Sequence, residues 1–527
     1  MDTSWGDGAP RNEAGDGVED VLSRVLRHAW QRPEAPAVSD GRRRLTFGEL
    51  ADETARLAAG LSSREVGAGD RVVLVLANSV DFVVGALACM WLGATWVPVD
   101  IDDPPERRLS ILADCEPRLV LTASQDQPEA LPGHVTLVDA MGGSTSRAPD
   151  PLTDASLSAY AIYTSGTTGA PKGVMIPRSA FAHGVASAVE ALGLDATSRG
   201  MCVSAFHFDG SYGGLFPPLY AGGSVVIPLR DSLLFPRVFV RTVEREGVTS
   251  STFSPSYLRL LLGSSDLDRL ATTTLRVISL GGEACSASDV RELLAAVPQL
   301  RVFNQYGPTE TTIAVTHFEI AQNSLQSGEF VPIGVPHRGV RFYLLDEHGD
   351  VVEESGRPGR LCIGGSQLMS GYWHAPGLTA EVLRDDVVPG DRVFLTDDLA
   401  VRDDAGCYRF IARMGGYVKR NSVRISLVEL AETLRGLDDV SDAVCAAYQG
   451  EGATTCIAAF VVTDPATTIA NVRNRACDRI PQSMVPDVFH GASRLPLKPS
   501  GKIDVDVLLT SIGLTGIHPQ DVSQVGA

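Results

Sequence analysis

The 527-residue sequence lacks the hallmarks of several protein classes. Its nine cysteines include no CxxC pair, which disfavours a zinc site or a small disulfide scaffold and favours a reducing compartment, so we expect a cytoplasmic protein. Basic residues are too few to balance the acidic ones: 45 Lys+Arg against 64 Asp+Glu give a net charge of −19. This balance argues against nucleic acid or an anionic membrane as a main partner.

Targeting and membrane signals are also missing. Residues 1–17 are rich in Gly, Asp and Glu and lack the apolar core of a signal peptide, so we predict a disordered tail there. Phe82–Val99 is uncharged over 18 residues, but Gly93 and Pro98 interrupt it. We therefore predict a buried helix, a glycine turn and a short strand in a soluble protein without a membrane partner.

The pattern of apolar residues predicts an α/β fold. From about residue 45 to 415, strand-like apolar runs alternate with helical periods, which is typical of largely parallel sheets. Shorter strands with glycine-rich turns follow from Tyr343. We predict an N-terminal core over 18–413 with a β-rich subdomain at 330–410, a hinge at 414–416, a small mobile α+β C-terminal domain over 417–513 and a tail over 514–527.

The segment from Ala159 to Val174, AYAIYTSGTTGAPKGV, carries the clearest chemical signal. A strand-like run leads into a loop with glycines, four hydroxyl residues and one lysine, the groups that bind a polyphosphate. It is not a Walker loop, because Pro171 rather than glycine precedes Lys172. The loop predicts phosphate binding.

TSGTTGAPKG resembles the phosphate loop of the adenylate-forming superfamily, which includes acyl-CoA synthetases, luciferases and the amino-acid adenylation domains of nonribosomal peptide synthesis. The resemblance covers roughly residues 20–510, with the motifs in the family order. The other segments that carry it are Leu45-Thr46-Phe47 with Glu49-Leu50, Leu92-Gly93-Ala94 through Val97-Pro98-Val99-Asp100, Asn304-Gln305-Tyr306-Gly307-Pro308-Thr309-Glu310, and Pro499-Ser500-Gly501-Lys502-Ile503-Asp504.

The resemblance implies a magnesium-dependent ligase that works in two half-reactions. A carboxylate attacks the α-phosphate of ATP and releases pyrophosphate, and a thiol usually takes the acyl group from the adenylate. By position, the β- and γ-phosphates would meet Thr164, Ser165, Gly166, Thr167, Thr168, Gly169 and Lys172; the rest of the nucleotide would meet Gly282, Asn304, Tyr306, Asp398 and Arg413; and Thr309, Glu310 (the Mg²⁺ ligand) and Lys502 would be catalytic.

Phe208-Asp209-Gly210-Ser211 resembles the segment that separates amino-acid from aryl-acid enzymes. In the amino-acid enzymes its aspartate pairs with the substrate ammonium, which favours an amino-acid substrate here. The family's pocket positions correspond to Asp209, Gly210, Gly213, Thr252, Ile278, Leu280, Gln305, Ile313 and Ala314, with Lys502. A pocket without further charges predicts a neutral, mostly apolar amino acid, and Gln305 either binds a polar tip or faces water.

Several positions depart from the family pattern near the expected thiol entrance and hinge: Gly415, Ser422, Ser426, Arg360 and Asp397. Adenylation is therefore the better supported half-reaction. The sequence ends 25 residues after Lys502, so we expect any phosphopantetheine thiol to come from a separate carrier protein of natural-product biosynthesis. Two alternatives stay open: a ligase that uses CoA or an amine, and a non-catalytic nucleotide or amino-acid sensor.

Overall fold

The structure is a computed structural model of the chain. It describes residues 17–123, 134–142, 147–164, 171–229, 235–283, 285–321, 331–413, 417–420, 423–450, 454–464, 467–496 and 503–514. The predicted hinge at 414–416, the tail at 515–527 and most of the tail at 1–17 lie outside these ranges.

Two mostly parallel sheets form the N-terminal part of the described chain. The first contains eight strands and is antiparallel only where its two outermost strands join it. Its strands, in spatial order, are β14 (Thr316–Glu319), β13 (Arg301–Tyr306), β12 (Val277–Gly281), β11 (Ser250–Phe253), β9 (Arg199–Cys202), β10 (Ser224–Val226), β1 (Pro36–Ser39) and β2 (Arg44–Thr46).

The second sheet has seven strands and is parallel except at β8. Its spatial order is β17 (Gly371–Tyr372), β8 (Lys172–Pro177), β7 (Ser158–Thr164), β4 (Thr95–Val99), β3 (Arg71–Val75), β5 (Leu119–Thr122) and β6 (His134–Thr136). Buried β-branched residues dominate β3 and β4, as expected for strands covered on both faces.

Helices cover these sheets and fill the space between them. Their bounds are α1 (Val21–Gln31), α2 (Phe47–Ser62), α3 (Val80–Trp91), α4 (Pro105–Cys115), α5 (Leu137–Gly142), α6 (Arg178–Leu192), α7 (Tyr212–Tyr220), α8 (Pro236–Glu246), α9 (Pro255–Leu262) and α10 (Ala287–Ala296). Side chains of α1, α2, α3, α6 and α7 share one core cluster with strands of both sheets, whereas α8–α10 pack against the first sheet in a second cluster. The predicted helix, turn and strand over Phe82–Val99 are confirmed by α3, Gly93 (φ +70°) and β4.

A third, antiparallel sheet lies within residues 340–413, close to the predicted β-rich subdomain at 330–410. It consists of β15 (Val340–Leu345), β16 (Gly359–Gly365), β18 (Leu383–Val388), β19 (Asp391–Arg402) and β20 (Tyr408–Arg413), with α11 (Pro376–Val382) before β18. Between β16 and β18 the chain crosses to the second sheet, where β17 pairs with β8.

The remaining described residues form an α+β unit with its own core. Its elements are β21 (Tyr417–Arg420), β22 (Val423–Ser426), α12 (Leu427–Arg435), β23 (Val440–Gln449), β24 (Thr455–Thr463), α13 (Ile469–Cys477), β25 (Val488–Gly491) and α14 (Val505–Ser511). The helix α12 packs on β23, and β21 and β22 form a separate hairpin. The predicted α/β fold class with a smaller β-rich and α+β C-terminal part is confirmed.

Candidate active site

Asp209 is the centre of the candidate site. It opens a short 3₁₀ turn (Asp209–Ser211) that leads into α7, where the chain leaves the first sheet. The Thr309 hydroxyl and the N–H groups of Gly210 and Ile313 donate to its carboxylate. Its Oδ2 atom is buried and has no hydrogen-bond partner among the described residues. Burial raises the pKa of Asp209 to about 6, the charge of Glu310 adds to this rise, and the hydrogen bonds oppose it.

Most of the predicted pocket residues come together beside Asp209. A Cβ atom built on Gly213 would lie 3.3 Å from Cγ2 of Ile313 and 3.8 Å from Oε1 of Gln305, so glycine keeps this space open. A Cβ atom built on Gly210 would have no other atom within 4 Å among the described residues. Thr252 borders the same helix, because its Cβ lies 3.4 Å from a Cβ built on Gly214, and Ala314 follows Ile313.

Two predicted pocket residues face the wrong side of their strand. Ile278 and Leu280 in β12 are fully buried in the core cluster with α9 and α10. Side chains alternate along a strand, so a shift of one residue moves the whole set to the opposite face. The residue that faces the pocket is Ser279, which donates to Oε1 of Gln305 at 2.9 Å; Gly281 lies beside the same glutamine. Gly281 and Gln305 are register partners, and side chains alternate along a strand. Counting back by two from Gly281 therefore identifies Ser279 as the residue on the pocket face of β12.

Tyr372, which the sequence did not point to, joins Lys172 of the phosphate loop to Glu310. Lys172 Nζ lies 3.1 Å from the Tyr372 hydroxyl and 4.1 Å from its ring centroid, and that hydroxyl donates to Oε1 of Glu310 at 2.8 Å. Glu310 is almost fully buried. Tyr372 reaches this position only because β17 crosses to the second sheet, and no local sequence signal marks it.

The predicted nucleoside residues lie where the first and third sheets meet. Tyr306 donates to Oδ2 of Asp398 at 2.6 Å, and Asp398 is the register partner of Arg413 in β19 and β20. Asn304 donates through Nδ2 to the carbonyls of Val331 and Pro332. Gly282 follows β12 with a left-handed φ of +86°. The fold therefore groups Tyr306, Asp398 and the Arg413 backbone, and Asn304, two residues before Tyr306, lies on the same face of β13.

Two of the departures from the family pattern contact each other. Arg360 on β16 lies 3.5 Å from the Asp397 carboxylate on β19 and donates through Nε to the Thr396 carbonyl at 2.6 Å. An acidic residue at 360 would face Asp397 with like charge, so the two changes compensate one another.

Several predicted residues lie outside the described part of the chain: Ser165, Gly166, Thr167, Thr168 and Gly169 of the phosphate loop, Lys502, Gly415 and Ser422. The two ends of the phosphate loop are register partners, Thr164 in β7 and Lys172 in β8. The Thr164 hydroxyl is buried and has no hydrogen-bond partner among the described residues. The Thr164 hydroxyl could therefore donate to a phosphate oxygen. The Glu310 carboxylate fits a magnesium ion bound to that polyphosphate, since Mg²⁺ prefers one or two carboxylates together with phosphate oxygens.

The site thus combines Lys172 and the buried Glu310, joined through Tyr372, with the buried Asp209 carboxylate, whose Oδ2 has no hydrogen-bond partner among the described residues. These are groups of the kind that an enzyme of nucleotide chemistry uses. The chain belongs to the family described as AMP-binding enzyme, whose match covers residues 25–373.

Relatives support this assignment at different levels. Tyrocidine synthase 3 from Brevibacillus parabrevis is 32% identical over 90% of this chain, which spans only 7% of that protein; this chain spans less than half of each of the first curated relatives that it matches. The crystal structure of IdnL1 is 28% identical, with a TM-score of 0.78 over 92% of this chain and 100% of that one. PA1221, described as an NRPS protein containing adenylation and PCP domains, has the same fold (24% identity, TM-score 0.81, 94% of this chain and 98% of that one). None of the described helices is both long and apolar enough to span a membrane.

Proposed function

We propose that this chain activates a neutral amino acid with ATP, forms the aminoacyl adenylate and releases pyrophosphate. The observation that carries the proposal is the Asp209 carboxylate, whose buried Oδ2 lacks a partner among the described residues. A substrate ammonium supplies the opposite charge that a buried carboxylate needs. The described pocket residues Gly210, Gly213, Thr252, Gln305 and Ile313 are uncharged, so a charged substrate side chain would be buried without a counter-ion.

The residues of the chain have distinct roles in this reaction. Asp209 holds the ammonium, so the substrate carboxylate is directed away from it, and Thr309 donates to Asp209 from the neighbouring segment. An oxygen of that carboxylate attacks the α-phosphorus while the bond to the pyrophosphate oxygen breaks. Lys172 and the phosphate loop stabilise the negative charge that develops on the leaving pyrophosphate. The family resemblance assigns Lys502 to the reacting carboxylate. When bound through Glu310, Mg²⁺ neutralises phosphate charge.

The adenylate is then passed to the phosphopantetheine thiol of a carrier protein. Support comes from PA1221, whose description names a PCP domain beside its adenylation domain, and from the curated relatives, in which the matching region is a small part of a longer protein. The altered positions Arg360 and Asp397 remain compatible with this step because they compensate each other.

An amino-acid-dependent pyrophosphate exchange assay tests the proposal. The native chain is offered a panel of proteinogenic and β-amino acids with their des-amino analogues. Exchange with a neutral amino acid but not with its des-amino analogue is the expected result, and Lys502→Ala should slow it by about 10²-fold. Exchange with no amino acid would exclude the proposed activation. Intact-mass measurement of carrier protein, CoA and amine acceptors then identifies the second step.

A further inference from the structure

The segment that closes the amino-acid pocket has a strained backbone. Thr312 and Ile313 adopt left-handed φ angles of +62° and +65°, which β-branched residues rarely occupy. The Ile313 N–H donates to the Asp209 carboxylate, and its side chain borders Gly213. The contact with the substrate-binding acid therefore depends on a conformation that these two residues do not favour on their own.

One buried amide holds this conformation. Gln367 lies after β16 and is 1% exposed. Its Nε2 donates to three backbone carbonyls of the pocket segment: those of Thr311 at 3.4 Å, Thr312 at 3.1 Å and Ala314 at 2.7 Å. In return the Thr312 hydroxyl donates to the Gln367 carbonyl at 2.8 Å. The strained residues are thus fixed from both sides by a single residue that is distant in sequence.

Three histidines fix the direction of the amide. His183 Nδ1 and His337 Nδ1 lie 3.3 Å and 3.1 Å from Gln367 Oε1, and His317 Nδ1 lies 2.9 Å from His337 Nε2. With the proton on each Nδ1, His317 donates to His337, His337 donates to Gln367 Oε1, and Gln367 donates to the carbonyls. Burial lowers the pKa of His337 to about 4 and that of His317 well below its usual range, so both rings are neutral and carry the single proton that this order needs.

We propose that Gln367 is a positioning residue for the amino-acid site: it locks Thr312 and Ile313 in the left-handed conformation, so that the Ile313 N–H reaches Asp209 and its side chain forms the pocket wall. The inference rests on the proposed amino-acid activation. The hydrogen bonds given for the Gln367 side chain go to the pocket segment and the histidines, so we expect its removal to affect amino-acid recognition more than nucleotide binding.

The test compares Gln367→Met, which keeps length but removes the amide, with Ser187→Ala as the control. Ser187 contacts His183 at the edge of the same cluster, with its hydroxyl 3.5 Å from Nδ1, and the hydrogen bond given for this hydroxyl goes to that histidine rather than to the pocket segment. In pyrophosphate exchange we expect Gln367→Met to raise the KM for the preferred amino acid by about tenfold or more, while the KM for ATP stays within about twofold. The variant should also discriminate less well against an amino acid whose side chain differs by one methylene, because the Ile313 side chain is no longer held in place.

A merely structural role would change the amount of folded enzyme and leave both KM values native. A folded Gln367→Met enzyme with native amino-acid KM overturns the proposal. If that variant does not fold, His337→Leu takes its place, since it removes one donor to Oε1 and should raise the same KM by a smaller factor; a native value there also overturns it. Absence of exchange in the native chain would instead count against the proposed function.

Discussion

Asp209 can be tested by removing its charge and keeping its shape. Asp209→Asn should lower kcat/KM for the amino acid by an amount that corresponds to about 2–4 kcal/mol, because a partly desolvated ammonium loses its counter-ion. The KM for ATP should change little. Asp150→Asn, an exposed acid-to-amide change, serves as the control. Native kinetics in Asp209→Asn would remove the residue from substrate recognition.

The pH profile gives an independent test of the same residue. Burial raises the pKa of Asp209 to about 6 in the absence of substrate. The ionised form accepts the ammonium, so kcat/KM for the amino acid should be constant above about pH 6 and fall as the pH drops through that value. This acidic limb should be absent in Asp209→Asn, and a limb that persists there would belong to another group.

Tyr372 predicts a different kinetic signature, on the nucleotide side. Tyr372→Phe keeps the ring near Lys172 but removes the hydroxyl that lies between Lys172 and Glu310. A hydrogen bond to a charged group contributes about 1.5–3 kcal/mol, so we expect at least about a tenfold loss in kcat/KM for ATP with the amino-acid KM unchanged. Tyr343→Phe, which removes a hydroxyl bonded to the distant Asp391, is the matched control. Equal kinetics in the two variants would contradict the role.

At the scale of elements, a buried arginine joins several segments of the N-terminal part. Arg178, the first residue of α6, donates to both carboxylate oxygens of Asp20 and to the carbonyls of Met90 and Leu152. Both charged side chains are less than 5% exposed. Arg178→Met should therefore destabilise the fold by about 3–5 kcal/mol, since it leaves the Asp20 charge buried without a partner.

Denaturant-induced unfolding of the variants measures this loss. Arg301→Met, which breaks an ion pair with Glu319 whose side chains are about half exposed, should cost less than about 1 kcal/mol. Adding Asp20→Asn to Arg178→Met should recover part of the stability because it removes the unpaired charge. Equal loss in the Arg178 and Arg301 variants would mean that the buried pair contributes no more than a surface one.

The sequence was sufficient to predict helices and strands, but it did not show which face of a strand lines the pocket. The pattern of apolar residues over Phe82–Val99 predicted α3, the Gly93 turn and β4 closely, because local patterns determine them. The pocket set failed at Ile278 and Leu280, because side chains alternate along β12 and Ser279, which lies between them, shares a face with Gln305. Tyr372 contacts Glu310, and Gln367 contacts the pocket segment. Both lie where the chain crosses from the third sheet to the second, and no local sequence pattern predicts that crossing.

At the scale of the whole molecule, the structure shows one orientation of the α+β unit. Its hairpin β21–β22 and α12 face the N-terminal part: Phe208, next to Asp209, packs against the cluster that contains Ile425 and Leu430. Ile503, the described neighbour of Lys502, packs instead with the cluster of Tyr448 and Phe460. We infer that this orientation serves the acceptor step, because the hairpin lies beside the pocket while Ile503 packs within the α+β unit.

A charge swap across this contact tests that inference. Arg479 of the α+β unit lies 3.5 Å from Glu106 on α4. Glu106→Arg would place like charges opposite each other, so this orientation should be less populated. Because both side chains are partly exposed, the effect is modest: we expect single-turnover transfer of the aminoacyl group to pantetheine or a carrier thiol to slow by about two- to fivefold, with adenylate formation unchanged. The double variant Glu106→Arg/Arg479→Glu restores opposite charges and should restore transfer. Equal slowing of both steps, or no recovery in the double variant, would show that this ion pair does not stabilise the orientation used for transfer.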